Sequence, residues 1–265
     1  MLNIGWFSTG RGEGSRGLFQ FIQERILQNH LDARIQFVFS NREPGESRGS
    51  DLFFETVNGY DLPLITFSSR RYQKSRQGIL AKSRAEYDLG VMTRIASFKP
   101  DVCILAGYML ILSPEICDRY SLINIHPALP SGPTGTWQEV IWNLIETRST
   151  RTGAMLHLVT EKLDRGPVIS YFNLPLTDKL FTNEWRSIEG KSIVQLKDHY
   201  GEHLPLFQLI RSEEYRREPH LLLETLKPIA RGTIRIENKT LVDINGNPID
   251  SLCMNSAIEN SLASQ

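Results

Sequence analysis

Asn124 and His126 stand two residues apart in the run Leu122-Ile-Asn-Ile-His-Pro-Ala-Leu-Pro130. A side-chain amide donates through its NH2 group and an imidazole through a ring N–H, so the pair can hold one developing negative oxygen. Asp164, in Leu163-Asp-Arg-Gly-Pro-Val168, adds a carboxylate able to hold or accept a proton. No serine or cysteine nucleophile stands beside them. The combination points to acyl transfer onto a nucleophile that the substrate brings itself.

The elements that position these groups follow from local pattern. Leu122 to Ile125 is a strand-forming apolar run, and its two-residue period puts Asn124 and His126 on one side. Pro127 and Pro130 stop the strand and force an extended turn. Ser131-Gly-Pro-Thr-Gly-Thr136 reads as a flexible loop capped by Thr136, leading into a helix over Trp137–Thr147; Thr134, Thr136 and Gln138 are its polar groups. Strands are expected over Thr152–Thr160 and Pro167–Pro175, with the Asp164 turn between them. His157 alternates with apolar neighbours and reads as a satisfied core residue or a support sooner than as a catalyst.

At the N-terminus, Leu2–Ser8 reads as a buried strand, Thr9–Gly17 as a glycine loop and Leu18–Gln28 as a helix. Strand, glycine loop and helix together make an anion site, because backbone N–H groups and the helix N-terminus face one spot. Three readings stay open: a substrate phosphate on Gly10, Gly12, Gly14 and Ser15, a dinucleotide, or a tight turn without a ligand. The second strand, Ile35–Phe39, runs into Ser40-Asn41-Arg42, with no carboxylate for a ribose, which disfavours NAD. NADP, with Arg42 on its 2′-phosphate, stays open.

A helix is expected over Leu52–Asn58 and a strand over Leu62–Phe67. Ser68–Lys82, with Arg70, Arg71, Lys74, Arg76 and Lys82, reads as a solvated basic loop. A helix over Arg84–Ala96, a central strand over Val102–Ala106 and a short helix from Ser113-Pro114 to Tyr120 follow. Beyond Pro175, Thr177–Arg217 is rich in helix formers. His199 and His203 are spaced for a metal but lack a third ligand, and read as a solvated pair. Glu218–Ala230 reads as a helix opening with Pro219. Asn238-Lys239 is the turn of a hairpin, and the chain from Ile249 is expected to fray.

The 265 residues suffice for one large α/β domain over 1–176 with a helical extension and hairpin over 177–265. The expected fold is Rossmann-like: an open, mostly parallel sheet with helices on both faces. Thirty basic residues balance thirty acidic ones, so no global field draws in nucleic acid or an anionic membrane. Three cysteines without CxxC spacing argue against a disulfide framework and fit a reducing cytoplasm. No leader pattern and no apolar run of about eighteen residues is seen, so a membrane span is not expected.

Asn124-Ile-His126-Pro127-Ala-Leu-Pro130 and Leu163-Asp164-Arg-Gly166-Pro167-Val168, in this order, resemble the two signatures of the folate-dependent formyltransferases. The likeness runs from about Leu2 to Pro175. It implies 10-formyltetrahydrofolate as formyl donor and a primary amine as acceptor, foremost that of glycinamide ribonucleotide in purine synthesis. Asn124 and His126 would then stabilise the oxyanion while Asp164 relays a proton. Gly107–Pro114 resembles the family's pterin-binding segment, which implies folate contacts at Tyr108, Met109, Leu110, Ile111 and Leu112, with Leu163 beside them; the family commonly has arginine at the place of Leu110. Ser83-Arg84-Ala-Glu-Tyr87-Asp88 resembles the segment whose arginine contacts the ribonucleotide.

The family holds its phosphate in a shorter Gly-Asn-Gly-Ser-Asn loop where this chain has Gly10 to Ser15, and it has a carboxylate for the glycinamide amine where Glu218 falls. The loop after the oxyanion motif carries histidines in the family and none here. His157 matches a histidine of the family's second motif. Three alternatives remain: a formyltetrahydrofolate hydrolase, a formyltransferase for an amino-sugar nucleotide bound by Thr177–Arg217, and a phosphate- or NADP-binding module without catalysis. The expected partner is a small phosphorylated amine, and an oligomer is compatible with the sequence.

Overall fold

The computed structural model describes residues 1–75 and 80–263. Arg76 lies outside the described residues, as does the side chain of Lys82. The first half runs β1 (Leu2–Phe7), α1 (Glu13–Leu27), β2 (Ala33–Ser40), α2 (Arg48–Gly59), β3 (Leu64–Thr66), α3 (Ser69–Ser75), α4 (Leu80–Ile95) and β4 (Val102–Leu105). Then come α5 (Pro114–Arg119), β5 (Leu122–His126), α6 (Trp137–Glu146), β6 (Arg151–Leu158) and β7 (Val168–Pro175). The C-terminal part holds α7 (Lys179–Ser187), α8 (Ile193–Tyr200), a 3-10 turn (Gly201–His203), α9 (Pro205–Ala230), the hairpin β8 (Ile234–Glu237) and β9 (Thr240–Asp243), β10 (Leu252–Cys253) and α10 (Asn255–Ala263).

The main sheet has eight strands in the order β10-β7-β6-β5-β4-β1-β2-β3. All pairings are parallel except those of β6, which runs against β5 and β7. Two apolar cores form because the central strands are buried on both faces. Ile4, Trp6, Ile104 and Ile123 point to one side, against α1, α2, α6 and α9. Phe7, Phe37, Phe39, Leu105 and Leu122 point to the other, against Tyr87, Val91 and Ile95 of α4 and Ile116 of α5. Each such side chain contributes about 1.5–3 kcal/mol on full burial, which pins the register and with it the strand ends. No helix among the described residues is long and apolar enough to cross a membrane.

The expected doubly covered, mostly parallel sheet is found, with four local corrections. Helix α1 starts at Glu13, five residues before the expected Leu18, so Gly14 and Ser15 lie within its first turn. An acidic residue in the first turn complements the helix dipole there. The basic stretch is not all loop, since Ser69–Ser75 is helical and Arg71 pairs with Glu43 and Glu46. Helix α9 begins at Pro205 and carries Pro219 inside it. The buried series Leu206, Phe207, Ile210, Glu214, Arg217 and Leu221 runs through that proline with helical spacing, and its burial outweighs the one backbone hydrogen bond Pro219 omits. Finally, the chain beyond Ile249 does not fray. Leu252 and Cys253 pair with Ser170 and Tyr171, Ile258 is fully buried, and Asn255 exchanges hydrogen bonds with the Asn173 main chain.

Candidate active site

Strand β5 delivers Asn124 and His126 to the carboxyl edge of the sheet, as the alternation requires. Asp164 comes from the turn after β6 and adopts a left-handed backbone (φ 51°). The three meet. Asn124 Nδ2 lies 3.4 Å from Asp164 Oδ1, and His126 Nδ1 lies 3.5 Å from Asp164 Oδ2. The Gly135 N–H donates to Asp164 Oδ2 at 3.3 Å. His157, opposite Asn124 in the β5–β6 ladder, supports the amide. Its Nδ1–H donates to the Leu158 carbonyl (3.0 Å), which leaves Nε2 to accept from Asn124 Nδ2 (3.1 Å).

Electrostatics sets the resting protonation. Burial pushes the Asp164 pKa up, but the neighbouring imidazoles of His157 and His126 and the Gly135 N–H outweigh it, so the carboxyl sits below its ordinary value. Burial is the largest cause acting on His126 and lowers its pKa, with the Pro133 carbonyl and Asp164 opposing. At neutral pH the site therefore pairs a carboxylate with a neutral imidazole, whose Nε2–H donates to the Pro133 carbonyl at 2.8 Å.

The loop before α6 acts through its main chain. Pro133 O and Gly135 N bind His126 and Asp164, while Thr136 is spent on a capping box with Glu139. Sequence reasoning looked to Thr134, Thr136 and Gln138 and missed this, because main-chain contacts leave no side-chain signal. Gly135 has φ +111°, and a Cβ there would come 2.5 Å from Glu139 Oε2. Gly135→Ala is expected to disrupt the cap and cost about 1–2 kcal/mol. An unchanged urea midpoint would contradict this.

Beside the three lies the segment 107–113, tied to β1 by Thr9 N–H to Gly107 O and Met109 N–H to Thr9 Oγ1. It alternates in and out. Tyr108 and Leu112 are buried in the second core and Leu110 packs against it, so those three can reach a ligand only through the main chain. Met109, Ile111 and Leu163 are exposed. Among the described residues, the main-chain groups of Leu110, Ile111 and Leu112 make no hydrogen bond. Free donors and acceptors flanked by exposed apolar side chains suit a flat heteroaromatic ring. A groove of about 390 Å³ lined by Cys117, Tyr120 and Lys239 opens at the other end of β5, at Leu122.

A family model for formyl transferases matches residues 11–184. The chain belongs to the formyl transferase family. Phosphoribosylglycinamide formyltransferase of Escherichia coli is 40% identical over 170 residues, covering 62% of this chain and 70% of that protein. Glycinamide ribonucleotide transformylase 1 from Symbiobacterium toebii superposes with a TM-score of 0.65 at 19% identity, over 92% of this chain and 94% of that one. A formyltetrahydrofolate deformylase from Pseudomonas syringae pv. tomato gives a TM-score of 0.62 at 20% identity, over 91% of this chain and 65% of that one, and so shares the fold.

The remaining expected residues of this formyl transferase are spread more widely. Gly10 (φ +68°) turns tightly against Phe53, Gly12 caps α1, Ser15 Oγ returns to the Gly12 carbonyl (2.9 Å), and Gly14 faces Tyr215 and Arg211. The glycine loop is thus only Ser8 to Gly12. Arg84 is exposed on α4, one turn before Asp88, whose carboxylate accepts from the Ser113 N–H. It stands by the end of the 107–113 segment, not among the three. His199 packs edge-on against Tyr200.

Glu218 is held by Arg211 at 2.6 Å. The carboxyl that is fully buried is its neighbour one turn back, Glu214, to which Thr152 donates. Burial pushes the Glu214 pKa up to about 8, against an ordinary 4.5. Between those values the folded chain holds a proton the unfolded chain has lost, so this contribution to stability is complete below about pH 4.5 and disappears as pH rises through about 8. Glu214→Gln is therefore expected to flatten the fall in Tm from about pH 6 to about pH 9. Parallel curves for wild type and variant would rule this out.

Proposed function

We propose that this protein transfers the formyl group of 10-formyltetrahydrofolate to the primary amine of a phosphorylated acceptor, glycinamide ribonucleotide. The observation that carries this reading is the convergence of Asn124, His126 and Asp164 beside the open main chain of 110–112, with no serine or cysteine hydrogen-bonded to the three among the described residues. The bound folate supplies an activated formyl carbon. Met109, Ile111 and Leu163 flank its ring, and the main chain of Leu110 to Leu112 reads its polar edge. Asn124 gives an N–H to the oxygen on which charge gathers, its 3.4 Å contact to Asp164 being the loose one. Asp164 takes the proton of the attacking amine, and that proton passes to the donor nitrogen as its bond to the formyl carbon breaks and tetrahydrofolate leaves. His126 Nδ1, facing the same carboxylate, is the second place for that proton and puts positive charge beside the oxygen.

The test is product analysis. The protein is incubated with 10-formyltetrahydrofolate and a panel of phosphorylated and sugar amines, glycinamide ribonucleotide included, and products are read by mass spectrometry. A formylated ribonucleotide is expected. Free formate in place of a formylated amine would make the protein a hydrolase, and formylation of an amino sugar alone would move the acceptor site to another substrate.

A further inference from the structure

Arg42 leaves the carboxyl end of β2 and is buried, 7% exposed. Buried guanidinium groups normally lie against a carboxylate, because an unpaired buried charge is costly. Among the described residues none lies within 4 Å of this one. Its NH1 donates to the Asn41 carbonyl (2.9 Å) and to Ser69 Oγ (3.2 Å), and its Nε has no hydrogen-bond partner. Glu43 and Glu46 are engaged elsewhere, with Arg71 and Ser68.

More positive charge stands around it. Burial and repulsion from Arg70 and Arg11 lower the Arg42 pKa, with attraction from Glu46 opposing. Arg11 and Arg70 are exposed, and no ion pair among the described residues uses either. The loop carrying Arg11 rests on the first turn of α2. A Cβ at Gly49 would come 2.2 Å from the Arg11 carbonyl, and Ser50 Oγ donates to Thr9 O. The N-terminal end of that 12-residue helix thus adds its partial positive charge.

We propose that Arg42, with Arg11 and Arg70 at its mouth, holds the phosphate of the acceptor. In an electrically neutral chain this concentration of unpaired cations is a local anion site, and a guanidinium Nε with a neighbouring N–H matches two oxygens of a phosphate monoester. The place suits the reaction. The order β5-β4-β1-β2 puts the end of β2 three strands from His126 on the same carboxyl edge, about 14 Å away at roughly 4.8 Å per strand. That span fits a ribonucleotide reaching from amine to phosphate. It also supplies what the loop lacks, since Thr9 to Gly12 has no asparagine to offer an anion.

The inference rests on the proposed formyl transfer to a phosphorylated acceptor, but its first test does not. Inorganic phosphate and ribose 5-phosphate are titrated calorimetrically into wild type, Arg11→Gln/Arg70→Gln, and Arg42→Lys and Arg42→Gln variants, each checked by Tm. Binding to wild type is expected to weaken roughly tenfold or more in the double variant and in Arg42→Gln, with partial recovery in Arg42→Lys. In turnover, the acceptor KM rises by a similar factor while the donor KM stays. Equal phosphate affinity in folded wild type and double variant would overturn the site, as would a rise confined to the donor KM. Absence of any formylated product alongside intact phosphate titrations would instead fault the reaction assignment.

Discussion

Asp164→Asn is expected to fold normally and to turn over roughly 100- to 10,000-fold more slowly than wild type. Asparagine keeps the volume, and its one amide oxygen can accept from either Asn124 or the Gly135 N–H though not from both, but it cannot take a proton from an attacking amine. Because the Asp164 pKa lies below its ordinary 3.8, the carboxylate persists as pH falls toward that value, and an acid limb arising higher belongs to another group. Saturating donor and acceptor isolate kcat from binding. If the variant kept a third of the wild-type rate, Asp164 would have no part in proton transfer.

Asn124→Ala is expected to slow the reaction by about 100- to 1,000-fold, the usual cost of one oxyanion donor. The loss falls on kcat, because the donor is needed only as charge develops on oxygen. Asn124 also accounts for the one bond to His157 Nε2, so the variant leaves that buried nitrogen unpaired and a modest fall in Tm accompanies the rate loss. A single-turnover rate within tenfold of wild type would remove the amide from the account. His157→Ala, by contrast, acts only through its neighbours Asn124 and Asp164 and is expected to hurt less.

The three residues proposed for catalysis were legible because local rules place each of them at a strand end or turn. An apolar run with two-residue alternation fixes Asn124 beside His126, and the glycine-containing turn after β6 fixes Asp164. Thr136 was legible as a cap for the same reason. What escaped depends on distant packing. Pro219 looks like a helix start until Leu206, Phe207 and Ile210 are seen burying an earlier half of the same helix. Leu252 and Ile258 look like a polar tail until β7 offers them an edge. Glu214 drew no attention because its neighbours in sequence are mostly charged, and burial of that one carboxyl is decided by Thr152 on another element. Arg42 was noticed for its charge, but the missing counter-ion shows only in three dimensions.

The hydrogen bonds around Asp164 carry a kinetic consequence. Asn124 is shared between His157 and Asp164, His126 is engaged by Pro133, and Asp164 by Gly135. A group that pairs with Asn124 or Asp164 does so in exchange for one of these bonds, so the net gain per contact is modest. The Gly135 amide is expected to exchange faster in Asp164→Ala, which removes its acceptor.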